Sequence, residues 1–287
     1  MKPILKKLFT GNEKEAYEHI IKEYHRKWYA ITHYLYFANV VGKHLFENYH
    51  TPIQKEDFQE ALKEDYQMIS KATIACAYKK ALMDWDVLLP DGIALQIFYR
   101  MAYKLKRITT PQPRLYNLNG TDFCPFFLDW LQSEKGAENV EIYLYGTYPG
   151  ILEKTKAALS EKGYNIVYAQ DGFTNFDREQ VSKIRKQNAK KYSILLVARS
   201  TPEYPIQELW SWSNQDKLKE NKFIVFTQAG TFDFWAGIQK RAPKLRRQWH
   251  IERLRRLITD PKRNSKKVLD TLSIIKYVFS YLLLKNK

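Results

Sequence analysis

The chain has 287 residues, enough for one large α/β domain with an appendage. Its 45% hydrophobic and 27% charged residues, with 20 Tyr, 15 Phe and 7 Trp, describe a folded protein with a bulky aromatic core and argue against a disordered chain. The formal net charge of +16 calls for an anionic partner, and it is concentrated: Lys240 to Lys267 holds twelve Lys/Arg against Glu252 and Asp260. Cys76 and Cys124 are the only cysteines and form no CxxC, so a disulfide framework or cysteine-based zinc site is not indicated. The six histidines show no ligand spacing. The N-terminal MKPILKKLF is too short and too charged for a signal peptide, and SIIKYVFSYLLL (Ser273–Leu284), interrupted by Lys276, is too short to span a bilayer. A cytoplasmic protein that touches a membrane surface is the expectation.

In chain order, Glu13–Trp28 reads as a helix with Asn12 as N-cap, its apolar face formed by Ala16, Ile20, Ile21 and Tyr24. Ile31–Ala38 is β-branched and aromatic and reads as a strand that ends at Asn39. Asp57–Tyr78 is compatible with helix. Val87–Leu89 is a short strand closed by Pro90-Asp91-Gly92, and Ile93–Lys104 is a helix followed by a basic, proline-containing loop to Arg114. Phe123–Gln132 reads as a helix with Pro125 in its first turn.

From there the alternation is regular. Strands are expected at Val140–Tyr145, Tyr164–Tyr168, Ser193–Val197 and Phe223–Phe226. Helices are expected at Ile151–Glu161, Asp177–Lys190 and Ile206–Leu218. Such alternation implies an α/β, Rossmann-like, mostly parallel sheet flanked by helices. The Gly146–Gly150 turn lacks GxGxxG, yet it can present backbone N–H groups to a diphosphate. After the last strand, Gly230-Thr231-Phe232-Asp233 reads as a turn. Leu245–Ile258 and Val268–Leu284 then form a basic α-helical C-terminal appendage, suited either to an anionic membrane surface or to a solvated basic face beside a core helix.

Several turns that say little singly occur in one order: LLPDGIAL (Leu88–Leu95), NGTDF (Asn119–Phe123), YLYGTYPG (Tyr143–Gly150), DGF (Asp171–Phe173), PIQELW (Pro205–Trp210), GTFDFWAG (Gly230–Gly237), KRAP (Lys240–Pro243) and IERLRRLITDPKR (Ile251–Arg263). Together they resemble the WecG/TagA/CpsF glycosyltransferases. The resemblance runs from about the first strand to Arg263, and FDFxAG…RAP is its most specific block.

It implies an inverting, metal-independent transfer of a sugar, often N-acetylmannosamine-like. The donor would be a UDP-sugar and the acceptor a sugar on a polyprenyl diphosphate, with no cofactor, at the cytoplasmic membrane face. On this resemblance Asp91 is the general base. Asn39, Arg114, Asp122, Gly146, Gln207 and Asp233 match substrate-site positions, although Asp233 is equally suited to capping the turn after it. Arg247, Arg253, Arg256 and Arg263 would neutralise the departing UDP. Two departures stand out: Phe37 replaces a threonine, and Ala198–Tyr204 replaces a glycine-rich loop. The implied organisation is a catalytic domain over 1–239, with an insertion within 49–80, and a membrane-associating appendage over 240–287, in a chain free to form a homo-oligomer. Two other readings are a nucleic-acid-binding protein that uses the basic tail and a catalytically inactive scaffold relative.

Overall fold

The computed structural model describes residues 2–35, 55, 69–199 and 205–239. Its frame is six strands: β1 (Ala30–Leu35), β2 (Val87–Pro90), β3 (Val140–Gly146), β4 (Ile166–Gln170), β5 (Tyr192–Ala198) and β6 (Phe223–Thr227). They form one sheet in the order β2-β1-β6-β5-β3-β4, and every pairing is parallel. All residues of β1, β2, β3 and β6 are buried, as expected for a sheet covered on both faces.

The helices divide between the two faces by the two-residue strand period. Ile31, Leu35, Leu88, Tyr143, Leu195 and Val225 point to one side, against α1 (Lys2–Lys7), α3 (Lys71–Asp84), α4 (Ile93–Lys104), α7 (Arg178–Gln187), α8 (Ile206–Ser213) and α9 (Gln215–Glu220). Ala30, Tyr34, Leu89, Leu144, Leu196 and Phe226 point to the other, against α2 (Glu13–Lys27), α5 (Gly120–Lys135), α6 (Pro149–Glu161) and α10 (Ala229–Trp235). The crossover helix α3 after β1 and the pair α8 and α9 after β5 lie on one face, whereas α6 after β3 lies on the other. The direction of winding therefore reverses between β3 and β5. In open α/β sheets such a reversal leaves a crevice outside the carboxyl ends of the two strands.

Local chemistry sets the boundaries. A capping box in which Asn12 and Glu15 exchange side chain-to-backbone hydrogen bonds starts α2, and Trp28 ends it at φ 61°. Leu8 bridges Leu88, and the Phe9 N–H donates to the Leu88 carbonyl at 2.8 Å, so the outer edge of β2 is covered.

The structure moves several sequence-derived boundaries. The first strand is Ala30–Leu35, residues 36–38 lying outside the described set. Helix α3 begins after the Ser70 N-cap and runs to Asp84, later than Asp57–Tyr78, of which residues 57–68 are not described. The part of the 49–80 segment from Lys71 onward belongs to α3 and contributes Ile74, Ala77 and Tyr78 to the core. Helix α5 begins at Gly120, so Pro125 sits in the helix interior, where the Thr121 carbonyl has no N–H four residues on. The expected Ile206–Leu218 helix is two helices broken at Asn214, whose Nδ2 bonds the Trp210 carbonyl at 2.9 Å. The strand read as Tyr164–Tyr168 is displaced to Ile166–Gln170 behind the positive-φ Gly163. Gly230–Asp233, read as a turn, is the middle of α10, held by the fully buried Phe232. The N-terminal segment forms α1, which sequence reading had only excluded as a signal peptide.

Candidate active site at the carboxyl ends of the sheet

The carboxyl edge collects most of the described candidates. Asp91 follows β2 directly, and its N–H donates to the Leu35 carbonyl at 2.9 Å, extending the β1–β2 ladder by one step. Gly92 at φ 86° turns the chain into α4, and its N–H donates to Asn117 Oδ1 at 2.8 Å. The Leu118 N–H reaches the Pro90 carbonyl at 2.9 Å, so the segment after Arg114 returns along the same strand end. Asp91 is partly exposed there, and Arg114 is exposed.

Gly146 shows why its position takes no side chain. It ends β3 at φ 119°, and a Cβ would lie 2.5 Å from the backbone carbonyl of Ala198 at the end of β5. Thr147, itself at φ 60°, donates its N–H to the Ala198 carbonyl at 2.7 Å and accepts the Gly172 N–H at 2.9 Å. The turns after β3 and β4 are thereby fastened to the end of β5. Helix α6 then opens at Tyr148 with Pro149 as its first residue and no side-chain cap. Pro149 has no N–H, and the Ile151 and Leu152 N–H groups donate to the Tyr148 carbonyl at 3.0 and 2.9 Å, so Gly150 holds the first-turn N–H left for a ligand.

Gln207 is buried at the start of α8. Its Nε2 donates to Glu208 Oε1 at 2.9 Å, and its Oε1 accepts the Ala229 N–H at 3.2 Å. It thus joins α8 to the first residue of α10. Asp122 lies in the first turn of α5 and is tied to the N-cap Asn119: Asn119 Nδ2 donates to Asp122 Oδ2 at 3.1 Å, and the Asp122 N–H donates to Asn119 Oδ1 at 3.2 Å. Asp233 sits further along α10, its carbonyl accepting the Ile238 and Gln239 N–H groups and its carboxylate accepting Gln239 Nε2 at 3.2 Å. The N–H groups after α10 are thus taken by the Asp233 main-chain carbonyl, while its carboxylate meets a side chain. Asn39, Arg247, Arg253, Arg256 and Arg263, with the rest of the expected appendage, lie outside the described residues.

The structure adds residues that sequence reading passed over. Arg199 follows β5, donates from Nη1 to Tyr145 Oη at 3.1 Å and lies 5.5 Å from the centre of that ring. It is a cation next to the Gly146 turn. Tyr148 and Phe173, on the turns after β3 and β4, pair at 5.1 Å while remaining 64% and 71% exposed. On the face that packs against α3 and α8, His33, Tyr78, Glu208 and Thr227 form a buried polar cluster. Arg199 was readable only as part of an altered loop, and the aromatic pair belongs to two segments 25 residues apart that only the fold brings together. Glu208 adjoins Gln207 in PIQELW, and this adjacency was the available signal for it. Among the described residues no three His, Cys, Asp or Glu side chains converge on a common point.

An open, all-parallel α/β sheet with glycine turns, a partly exposed carboxylate and a buried amide at its carboxyl edge defines a ligand-binding α/β protein. The model of the glycosyl transferase WecG/TagA/CpsF family matches residues 43–287, most of the chain. The protein belongs to that family, and is thereby a glycosyltransferase of cell-surface polysaccharide synthesis. The match begins after β1 and continues past Arg263 to the last residue.

Proposed function

We propose that the protein transfers a sugar of the N-acetylmannosamine type from a UDP-sugar to a sugar carried on a polyprenyl diphosphate, with inversion and without a metal. The observation that carries this reading is that Asp91, the Gly146 and Gly172 turns, Gln207 and the start of α6 all lie at the carboxyl ends of the strands. In this reading Asp91 takes the proton of the acceptor hydroxyl as that oxygen attacks the anomeric carbon from the face opposite UDP. The anomeric carbon–oxygen bond breaks, its electron pair leaves with the diphosphate, and the configuration inverts.

Two chain features supply the leaving-group side. The positive end of α6, with the Gly150 N–H, and the Arg199 guanidinium suit a diphosphate. Arg114, Arg247, Arg253, Arg256 and Arg263 add positive charge in the same role. Tyr148 and Phe173 offer flat apolar faces to the nucleobase, while Asn39, Asp122, Gln207 and Asp233 contact the sugars or their phosphates.

We also place the enzyme peripherally on the inner face of the membrane, where the acceptor lipid is anchored. Among the described residues no helix is long and apolar enough to cross a bilayer. Between Asp91 and Asp122 the chain carries Arg100, Lys104, Lys106, Arg107 and Arg114 and no carboxylate. Ile97, Tyr103, Leu105 and Tyr116 are exposed along this stretch. Basic groups interleaved with exposed apolar ones fit an anionic bilayer surface, and they flank the segment that holds Asp91. The test is a donor screen with a synthetic polyprenyl-diphosphate-linked acceptor sugar, reading UDP release and the anomeric configuration of the product. One UDP-sugar giving an inverted, acceptor-dependent product supports the reading. Salt-sensitive DNA or RNA binding with no UDP release from any donor would replace it.

A further inference from the structure

The buried cluster behind the crevice contains two titratable groups that the mechanism above does not use. Glu208 is 2% exposed and His33 1%. His33 Nδ1 lies 2.9 Å from Thr227 Oγ1 and 3.5 Å from Glu208 Oε1, while its Nε2 lies 2.9 Å from the Tyr78 hydroxyl. Trp85 closes the ring in, with centroids 4.5 Å apart. A carboxylate on the Nδ1 side selects the tautomer with the proton on Nδ1, leaving Nε2 to accept from Tyr78 O–H. The remaining side-chain donor to Glu208 is Gln207 Nε2 at 2.9 Å. The other end of the same amide holds the Ala229 N–H at the start of α10.

We propose that Glu208, aligned by His33, is a positioning residue that sets the orientation of the Gln207 amide and, through it, the first turn of α10 at the edge of the donor crevice. Its functional consequence rests on the reading of Gln207 as a donor contact.

An unpaired carboxylate in a core is expensive, and an apolar residue on this face of α8 would avoid the cost. What the carboxylate provides is a fixed acceptor. An amide side chain has two nearly isosteric ends and can be reversed; a neighbour that only accepts forces Nε2 toward it and leaves Oε1 for Ala229. The grip depends on charge. An ionised Glu208 takes a charge-assisted bond from Gln207, whereas the neutral acid binds it more weakly and can turn its own O–H to a competing acceptor. Burial pushes the Glu208 carboxyl up to about 7, and it holds the imidazole of His33 down at about 3, neutral throughout the working range. The groups that face Glu208 are His33 from β1, backed by Tyr78 of α3 and Thr227 of β6, and Gln207 on α8 itself. Among the described residues no lysine or arginine pairs with it. Glu208 is then the group whose titration falls near neutrality, and the hold on Gln207 tightens as pH rises through it.

The experiment follows the Gln207 side-chain amide by 15N-detected magnetic resonance in the full chain labelled at glutamine, the signal being assigned by its loss in Gln207→Leu. UDP affinity is measured by calorimetry across pH 5.5–8.5. We expect the Gln207 signal to follow a single proton near neutral pH, and UDP affinity to rise on the order of 10-fold over the same range. Both dependences vanish in Glu208→Gln, which keeps the shape and an acceptor, and His33→Gln displaces the midpoint. A Gln207 signal that ignores pH in the parent chain, or still titrates in Glu208→Gln, overturns the proposal. A signal that titrates with Glu208 in a chain that binds no UDP upholds the positioning and removes the donor reading of Gln207 instead.

Discussion

At the scale of single residues, Gly146 is the position least open to change. Its φ of 119° and the 2.5 Å approach of any Cβ to the Ala198 carbonyl combine backbone strain with a clash against main chain. Gly146→Ala is expected to cost about 2–4 kcal/mol and to lower the thermal midpoint by several degrees, checked by scanning calorimetry. Glu208 gives a second test with a definite sign. Its folded pKa of about 7 stands above the unfolded value of 4.5, so its contribution to stability is complete below pH 4.5 and is lost as pH rises toward 7. His33 runs the other way: its contribution is complete above pH 6.5 and is lost as pH falls toward 3. Glu208→Gln is therefore expected to stabilise the fold at pH 8, by up to about 3 kcal/mol, and to leave it unchanged at pH 4. Equal effects at the two pH values would show that Glu208 titrates alike in the folded and unfolded chain, without the upward shift.

At the scale of elements, α10 separates what could be read in advance from what could not. The apolar run of β6 is plain in the sequence, and so is the change of character after Gln228. The helix is not, because Gly230 and Thr231 carry poor helix propensity and the Gly-Thr-Phe-Asp string has the composition of a turn. It is tertiary packing that decides: Phe232 is fully buried, and Thr155 of α6 donates its hydroxyl to the Phe232 carbonyl at 3.2 Å. Phe232→Ala is expected to cost about 3–5 kcal/mol and to abolish slow hydrogen exchange of the α10 amides before the rest of the sheet is affected. Where the period was strong the elements were legible: α4 spans Ile93–Lys104 as read, and β3, β5 and β6 differ from their readings by a residue at one or both ends. The break at Asn214 escaped because its cause is a side-chain bond to the Trp210 carbonyl, which hydrophobic period does not encode. The site behaves the same way. Motif order gave Asp91, Gly146 and Gln207, whereas Arg199, His33 and the Tyr148–Phe173 pair become visible only once distant segments are brought to one edge of the sheet.

For the molecule as a whole, the sheet order fixes where chemistry can happen and the charge distribution suggests what it faces. Winding reverses between β3 and β5, and the turns that follow these strands are tied to each other through Thr147 and Ala198. The α4 segment follows Asp91 directly in the chain and carries Arg100 and Lys104, with Lys106 just beyond it. Reversing Arg100, Lys104 and Lys106 to glutamate in the full chain is expected to reduce co-sedimentation with vesicles containing anionic lipid several-fold. Binding to neutral vesicles should not change. Unaltered binding to anionic vesicles would confine membrane contact to the segment after residue 239.

The central claim is that a carboxylate at the end of β2 activates the acceptor hydroxyl in transfer from a UDP-sugar. Steady-state UDP release with the polyprenyl-diphosphate-linked acceptor, compared between the parent chain and Asp91→Asn, tests it directly. The account predicts a fall in kcat of roughly 10²–10⁴-fold, with UDP affinity and thermal midpoint preserved. Turnover by Asp91→Asn at the parental rate would contradict it.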